Sequence, residues 1–217
     1  MKSFLIIGIG KFGYYLCREL SARGCNIMAA DMNEEALTDV LPYVVSAKIG
    51  NCTRPDVLKT FGVDNYDACI VCIDEDFQNS LQVTALLSEM GARRVVSFAS
   101  TEVQAKFLRR NGADRVIFPE EAVAERLAVS LSSDSILDQF ELSDELSVFE
   151  IQTPAAWVGK SVLELNIRAR YGISVLATKR DDRAKMLNNP NYVFNSVDSL
   201  MVMGSEGDIR RIDREKK

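Results

Sequence analysis

Short apolar runs alternate with amphipathic stretches along the first 130 residues of the chain. The runs predict strands, and the stretches between them, in which apolar residues recur every three or four positions, predict helices. The predicted strands are 3–8, 26–31, 44–49, 68–73, 94–98 and 115–118, and the predicted helices are 11–23, 33–40, 54–60, 76–90, 101–110 and 119–131. Strands that alternate with helices join through right-handed crossovers into a parallel sheet. The fold class is therefore α/β, with a doubly wound parallel sheet.

The pattern changes after residue 131. Residues 132–146 are mostly polar with scattered apolar positions, and we interpret them as a linker helix. Closely spaced strands at 147–153, 172–179, 184–187 and 198–203, with helices near 160–169 and 205–214, then predict a small α+β domain. The predicted organisation is a first domain at 1–131, a linker at 132–146 and a second domain at 147–217. A domain of that size buries little apolar area alone, so we expect it to pair with a copy of itself or to pack on the first domain.

The first predicted strand ends in a Gly-x-Gly-x-x-Gly turn at residues 8–13, and a predicted helix follows at once. Gly8 permits the tight turn, Gly10 lets a pyrophosphate approach the backbone, and Gly13 lets the helix pack closely on the strand. The free N–H groups at the start of that helix attract phosphate. Asp31 follows at about the 20-residue spacing expected of a carboxylate that binds ribose. Together these features predict an adenine-nucleotide site on a Rossmann-like sheet.

Other polar residues follow the remaining strands of the predicted sheet. Ligands of such a sheet bind at the carboxyl ends of the strands, where the strand order reverses. Residues 50–52 (Gly-Asn-Cys) and 73–76 (Ile-Asp-Glu-Asp) fall at those ends. Asn51 is placed to hydrogen-bond the adenine or the ribose. Residues 74–76 have two interpretations, an acidic start of a helix or a contact with a ligand or cation.

Composition narrows the classes of function. The net charge of −5 and the isoelectric point of about 5.0 give no basic field for nucleic acid or anionic lipid. No apolar stretch approaches the roughly 20 residues that cross a bilayer, and the opening run is too short for a signal peptide. We therefore expect a cytoplasmic protein, and its 5 cysteines fit reduced thiols.

Two residue types bear on catalysis. The chain has no histidine, which excludes Ser–His and Cys–His nucleophile systems and removes the commonest general base and metal ligand. Cys69 and Cys72 lie three positions apart in a predicted strand, so they face opposite sides of the sheet and do not form a metal or redox pair. We expect no enzymatic activity.

Three segments resemble one known family. They are residues 8–13 (Gly-Ile-Gly-Lys-Phe-Gly), 112–120 (Gly-Ala-Asp-Arg-Val-Ile-Phe-Pro-Glu) and 165–172 (Leu-Asn-Ile-Arg-Ala-Arg-Tyr-Gly). The whole chain is similar to the cytosolic regulatory subunits of Trk/Ktr-type potassium uptake systems, which are built from RCK domains (regulators of potassium conductance). The resemblance implies an RCK_N (TrkA-N) domain and an RCK_C (TrkA-C) domain. It also implies a homo-oligomeric ring, commonly an octamer, that docks on the inner face of the membrane beneath a potassium-conducting subunit. Nucleotide binding would change the geometry of the ring and so gate the pore.

The resemblance and the strand ends together give the candidate ligand-binding residues. The cofactor-binding candidates are Gly8, Ile9, Gly10, Lys11, Phe12, Gly13, Asp31, Met32, Asn51, Cys52, Cys72, Ile73 and Asp74. The glycine turn, with Lys11 and Phe12, would cradle phosphates, and Asn51 and Cys52 would flank the adenine. Family members often have arginine where Lys11 stands and lysine where Phe98 stands, so phosphate contacts differ in this chain.

The resemblance implies two further ligands. Glu120 matches a family glutamate that can help hold a divalent cation, Mg²⁺ or Ca²⁺, near the phosphates, although helix-dipole stabilisation explains it equally well. Some relatives bind cyclic di-AMP in the second domain. The matching positions here are Val162, Arg168, Ala169, Ser174 and Pro190, where an arginine would pair with a phosphate and the apolar residues with adenine.

Two functions remain open from the sequence. The leading hypothesis is a nucleotide-sensing gating subunit of a potassium transporter, with ATP or ADP as its ligand. The alternative is an oxidoreductase or sensor that uses NAD(H), because a ribose carboxylate such as Asp31 accepts ATP, ADP and NAD alike. The same carboxylate disfavours NADP, since it would repel the 2′-phosphate.

Overall fold

The computed structural model describes residues 1–143 and 145–214. The chain divides into two compact units, Met1–Glu121 and Ala122–Lys217, and the boundary falls inside one helix. Among the described residues, no helix combines the length and the apolar character that a bilayer crossing requires.

The first unit is a six-stranded parallel sheet with helices between its strands. The strands are β1 (Ser3–Ile7), β2 (Asn26–Asp31), β3 (Ser46–Ile49), β4 (Ala68–Val71), β5 (Val95–Phe98) and β6 (Arg115–Ile117). The helices are α1 (Lys11–Ala22), α2 (Glu34–Val40), α3 (Pro55–Lys59), α4 (Phe77–Glu89), α5 (Glu102–Arg110) and α6 (Pro119–Leu131). Each matches a predicted element with ends within two residues, so the predicted α/β class is confirmed.

The strand order identifies the point along the sheet where ligands of such folds bind. The order is β3-β2-β1-β4-β5-β6, so the direction of winding reverses between β1 and β4. Apolar residues of both faces are buried, with Leu5, Ile7 and Cys69 in the core on one side and Ile6 and Cys72 in the core on the other. Cys69 and Cys72 therefore face opposite sides, as the strand periodicity predicts.

Local sequence explains where the helices begin. Asp76 caps α4 by accepting a hydrogen bond from the Asn79 backbone, and Thr101 caps α5 in the same way. Pro55 begins α3, where its missing N–H costs nothing. These caps fix the loops at the carboxyl ends of β4 and β5.

The second unit is built on an antiparallel sheet. In the described residues its strands are β7 (Ile136–Ser143), β8 (Leu146–Gln152), β9 (Ser174–Arg180), β10 (Arg183–Met186) and β11 (Ser199–Gly204), and its further helices are α7 (Val162–Leu165), α8 (Ile167–Tyr171) and α9 (Glu206–Arg214). The sheet order is β10-β9-β11-β8-β7. Its core contains Phe149, Trp157, Ile173 and Phe194.

One sequence prediction is wrong at this level. We predicted a linker helix over 132–146. That segment instead contains strand β7, which pairs with β8 in antiparallel register. Strand β7 lies at the edge of the sheet, and only Ile136 among its residues is buried. An edge strand that buries so little shows no clean apolar alternation, which is the signal that would have distinguished it from a polar connection.

Candidate functional site

The largest concentration of predicted site residues lies at the carboxyl ends of β1 to β4. They surround a cavity of about 350 Å³, which we call the main cavity. The predicted residues that line it are Gly8, Ile9, Gly10, Asp31, Met32, Asn51, Cys52, Cys72, Ile73 and Asp74. Its volume lies within the range of roughly 300–1,000 Å³ that ligand pockets span.

The three glycines of the turn are constrained in different ways. Gly8 has a φ of +91°, and a Cβ there would meet the Cys72 backbone at 2.9 Å. A Cβ at Gly13 would lie 2.3 Å from the Gly8 carbonyl oxygen. A Cβ at Gly10 would meet only the Asp74 carboxylate, at 3.8 Å, which is an ordinary contact. The fold therefore requires glycine at 8 and 13, whereas at 10 glycine keeps the backbone open towards the cavity.

Asp31 connects β2 to the glycine turn. Its Oδ2 accepts a hydrogen bond from the Ile9 backbone at 2.6 Å, and its Oδ1 accepts one from the Asn33 backbone at 2.8 Å. The same carboxylate lines the main cavity. Since an ionised carboxylate offers about four lone-pair sites, it can hold the turn and still accept ribose hydroxyls.

The end of β3 forms the opposite wall. Asn51 Oδ1 accepts hydrogen bonds from the Thr53 backbone N–H and hydroxyl, which fixes the loop into α3. Cys52 is buried beside it, and burial, followed by the nearby Asp31 charge, raises the pKa of its thiol to about 12. Cys52 therefore stays protonated and serves as an apolar wall.

The charged side chains that line the main cavity are all acidic. Among the described residues that line it are four carboxylates, Asp31, Asp74, Glu75 and Asp76, and no lysine or arginine. Phosphates bound there would be held by backbone N–H groups of the turn and by the start of α1, since no basic side chain lines the cavity.

The remaining cofactor candidates lie in the first turn of α1. Lys11 is exposed, Gly13 is buried beneath the turn, and neither lines the main cavity. Phe12 lines a second, smaller cavity of about 20 Å³, which we call the small cavity, together with Glu120. Both cavities share Ile73 and Asp74 in their walls.

The divalent cation expected beside Glu120 finds no cluster of side-chain ligands among the described residues. No group of three or more carboxylate, thiol or imidazole side chains within residues 1–143 and 145–214 could hold a metal ion. Glu120 lies in the first turn of α6, where an acidic residue stabilises the helix dipole.

The second unit has a cavity of its own, of about 380 Å³. Four of the residues predicted to bind cyclic di-AMP line it: Val162, Arg168, Ser174 and Pro190. Ala169 is exposed on α8 and does not line it. The wall formed by Pro190 is tied to α7, because the Pro190 carbonyl accepts a hydrogen bond from the Leu163 backbone at 3.0 Å.

Sequence reasoning missed several residues of the main cavity. Asn33, Ala36, Thr53 and Asn79 also line it. Asn79 is one turn into α4, and its amide nitrogen donates to Asp76 Oδ2 at 2.8 Å. A signal was available, because Asn33 and Thr53 lie in the loops that follow β2 and β3, and Asn79 lies in the first turn of α4 after its cap.

Comparison with known proteins assigns both halves of the chain to family models. Residues 4–119 match the TrkA-N domain, and residues 146–217 match the TrkA-C domain. The chain is 36% identical to the Ktr system potassium uptake protein C of Bacillus subtilis (strain 168) over 213 residues, which are 98% of this chain and 96% of that protein.

Solved structures share the fold. The crystal structure of the GsuK RCK domain matches with a TM-score of 0.67 and 17% identity, over 98% of this chain and 47% of that one. The GsuK channel bound to NAD matches with a TM-score of 0.54 and 21% identity, over 100% of this chain and 38% of that one. At such identities these two matches support the fold alone.

Proposed function

Since the chain belongs to the family of potassium uptake proteins built from a TrkA-N and a TrkA-C domain, we propose that it is a regulatory subunit that binds a nucleotide and gates a membrane potassium transporter. The observation that carries the proposal is the main cavity. Its glycine turn, helix start and Asp31 carboxylate offer the three contacts that an adenine nucleotide requires: an open backbone, free N–H groups and a ribose acceptor.

The ligand class we propose is an adenine nucleotide. The Asp31 carboxylate accepts hydrogen bonds from the ribose hydroxyls, and the Cys52 and exposed Met32 side chains contact the base. The relative that binds NAD, the GsuK channel, uses the same fold. The relatives at 35–36% identity are potassium uptake proteins, and we propose that this chain likewise acts in potassium uptake and is no enzyme.

Self-association is the second part of the proposal. On α6, Val123, Leu127 and Leu131 are each more than half exposed and recur every four residues, so they form one apolar stripe. The first unit separately presents an apolar groove of about 300 Å³ between α1 and β1, β4, β5 and β6, with Leu16, Ile70 and Ile117 in its walls. Apolar surface of this kind favours association with another copy. We propose a ring, of eight copies, that lies in the cytoplasm against its membrane partner.

Gating then follows from differential binding. A nucleotide changes the ring only by the difference between its affinities for two ring geometries. We further propose that cyclic di-AMP binds the cavity of the second unit, where Arg168 would meet a phosphate and Val162 and Pro190 the base.

A binding panel tests the nucleotide site. We expect ATP or ADP to raise the melting temperature of the full chain and to bind in calorimetry. Cyclic di-AMP should bind at the same time as either nucleotide, without competing for its site. If neither adenine nucleotides nor NAD(H) bind, the proposed function is wrong. Selective binding of NADH with steady reduction of a carbonyl substrate would instead support the oxidoreductase alternative.

A further inference from the structure

Two aromatic rings stand beside the main cavity. Phe12, in the first turn of α1, packs edge to face against Phe98, the last residue of β5, with ring centroids 4.3 Å apart and planes at 83°. Phe98 is only 7% exposed and belongs to the core beneath the sheet, whereas Phe12 is 37% exposed. The Phe98 ring is therefore held by the fold, and the Phe12 ring rests on it.

This pair of rings lies on the side of the sheet where the second nucleoside of a dinucleotide would bind. A dinucleotide straddles the point where strand order reverses, with its adenosine on one side and its second nucleoside on the other. Here the adenosine side is β2 and β3, whose ends line one side of the main cavity, and the other side is β4 and β5. The end of β4 lines both cavities, through Ile73 and Asp74, whereas Phe98 at the end of β5 lines the small cavity together with Phe12.

The small cavity does not admit a second nucleoside. Its volume of about 20 Å³ is close to the roughly 10–15 Å³ that a single water molecule needs. Part of its wall is held in place, because the Ser100 backbone N–H donates to Gln104 Oε1 at 2.9 Å. A nicotinamide riboside could enter only if the Phe12 ring left Phe98.

We propose that the contact between Phe12 and Phe98 determines specificity, so that the main cavity accepts an adenine nucleotide ending in its phosphates and disfavours a dinucleotide such as NAD(H). The inference rests on the proposed function, that an adenine nucleotide binds in the main cavity. A ligand that ends in a phosphate leaves the small cavity untouched. A dinucleotide must either displace Phe12 or leave its second nucleoside without a binding surface.

Calorimetry on the full chain tests the inference. We expect the wild type to bind ADP at least tenfold more tightly than NAD. Phe12→Ala should reduce the ratio of the Kd for NAD to the Kd for ADP at least fivefold, because it opens the small cavity. Tyr15→Ala is the matched control, since Tyr15 is an exposed aromatic residue of the same helix and is not among the described residues that line either cavity. It should leave the ratio unchanged.

The outcomes separate this inference from the proposed function. Wild-type affinity for NAD equal to that for ADP, or an unchanged ratio in a folded Phe12→Ala, would overturn the inference and leave the nucleotide site standing. Absence of binding by both ligands to the wild type would overturn both. If Phe12→Ala does not fold, Phe98→Leu carries the same test, because it removes the ring on which Phe12 rests while keeping an apolar side chain in the core.

Discussion

Two glycines of one motif have different physical roles in this chain. Gly13 is required by the fold, because a Cβ there would collide with the Gly8 carbonyl. Gly10 has a φ of −73°, which any residue adopts, and a Cβ there meets nothing closer than 3.8 Å. The motif predicts both glycines, but only the three-dimensional packing separates the glycine that the fold requires from the one that leaves room for a ligand.

This difference predicts opposite phenotypes. Gly10→Ala should leave the free energy of unfolding within about 0.5 kcal/mol of the wild type and weaken ADP binding at least tenfold, because the methyl group occupies the approach to the backbone. Gly13→Ala should cost about 1–3 kcal/mol through overpacking. Denaturant unfolding and calorimetry measure the two effects. A Gly10→Ala variant that binds ADP normally would place the phosphates elsewhere.

Asp31 marks the limit of prediction for single residues. Its spacing from the turn predicts a ribose acceptor, which stays a prediction, and the structure places it in the wall of the main cavity. That it also holds the turn, through the Ile9 backbone, depends on the approach of β2 to β1 in three dimensions. No sequence pattern specifies a hydrogen bond between a side chain and a backbone 22 residues away.

At the scale of elements, buried strands were predictable and the edge strand was not. Strands β1 and β4 are apolar on both faces because helices cover both sides, so their sequences are continuous apolar runs. Strand β7 has one neighbour and mostly exposed side chains. Its existence depends on pairing with β8, which local sequence does not encode.

A second feature at this scale is the segment between β10 and β11, which is anchored by one carboxylate. Asp198 is buried and accepts hydrogen bonds from Arg180 Nε at 2.6 Å, from the Tyr192 hydroxyl and from the Asn195 amide. Burial alone would raise the pKa of Asp198, but these hydrogen bonds outweigh it and hold the pKa below its usual value. The anchored segment contains Pro190, which lines the cavity of the second unit.

Asp198→Asn should therefore destabilise the chain by about 1–3 kcal/mol, because it replaces a charged acceptor of several hydrogen bonds with a neutral one. A lowered pKa in the folded state means that this stability is present above the unfolded pKa of about 3.9 and is lost as the pH falls through the folded value. Denaturant unfolding should thus show the full difference at pH 7 and a shrinking one below about pH 4.

The control for this prediction is Asp182→Asn. Asp182 is almost wholly exposed and pairs only with Lys179 among the described residues, so its removal should change the free energy of unfolding by less than about 0.5 kcal/mol. Equal effects of the two substitutions, or a difference that persists unchanged at pH 3, would contradict the anchoring role of Asp198.

At the scale of the whole molecule, each unit has a core of its own. The first contains the buried faces of the parallel sheet, and the second is built around Phe149 and Trp157. The sequence predicted two domains from the change of periodicity near residue 131. The exposed apolar stripe on α6 could not be recognised in advance, because a helix with apolar residues every four positions normally buries them.

That stripe yields the last prediction. Leu127 lies in its middle, and no residue of α6 is buried in the chain itself. If the stripe is covered by another copy in the ring, Leu127→Glu should lower the mass measured by light scattering in the presence of ADP, because burying an unpaired carboxylate is costly. Val45→Glu alters a similarly exposed apolar residue away from α6 and should leave the mass unchanged. Both side chains are exposed within the chain, so each variant should keep the circular dichroism spectrum of the wild type, and a smaller assembly would then report the interface rather than the fold. Undiminished mass in a folded Leu127→Glu variant would remove α6 from the proposed ring contact.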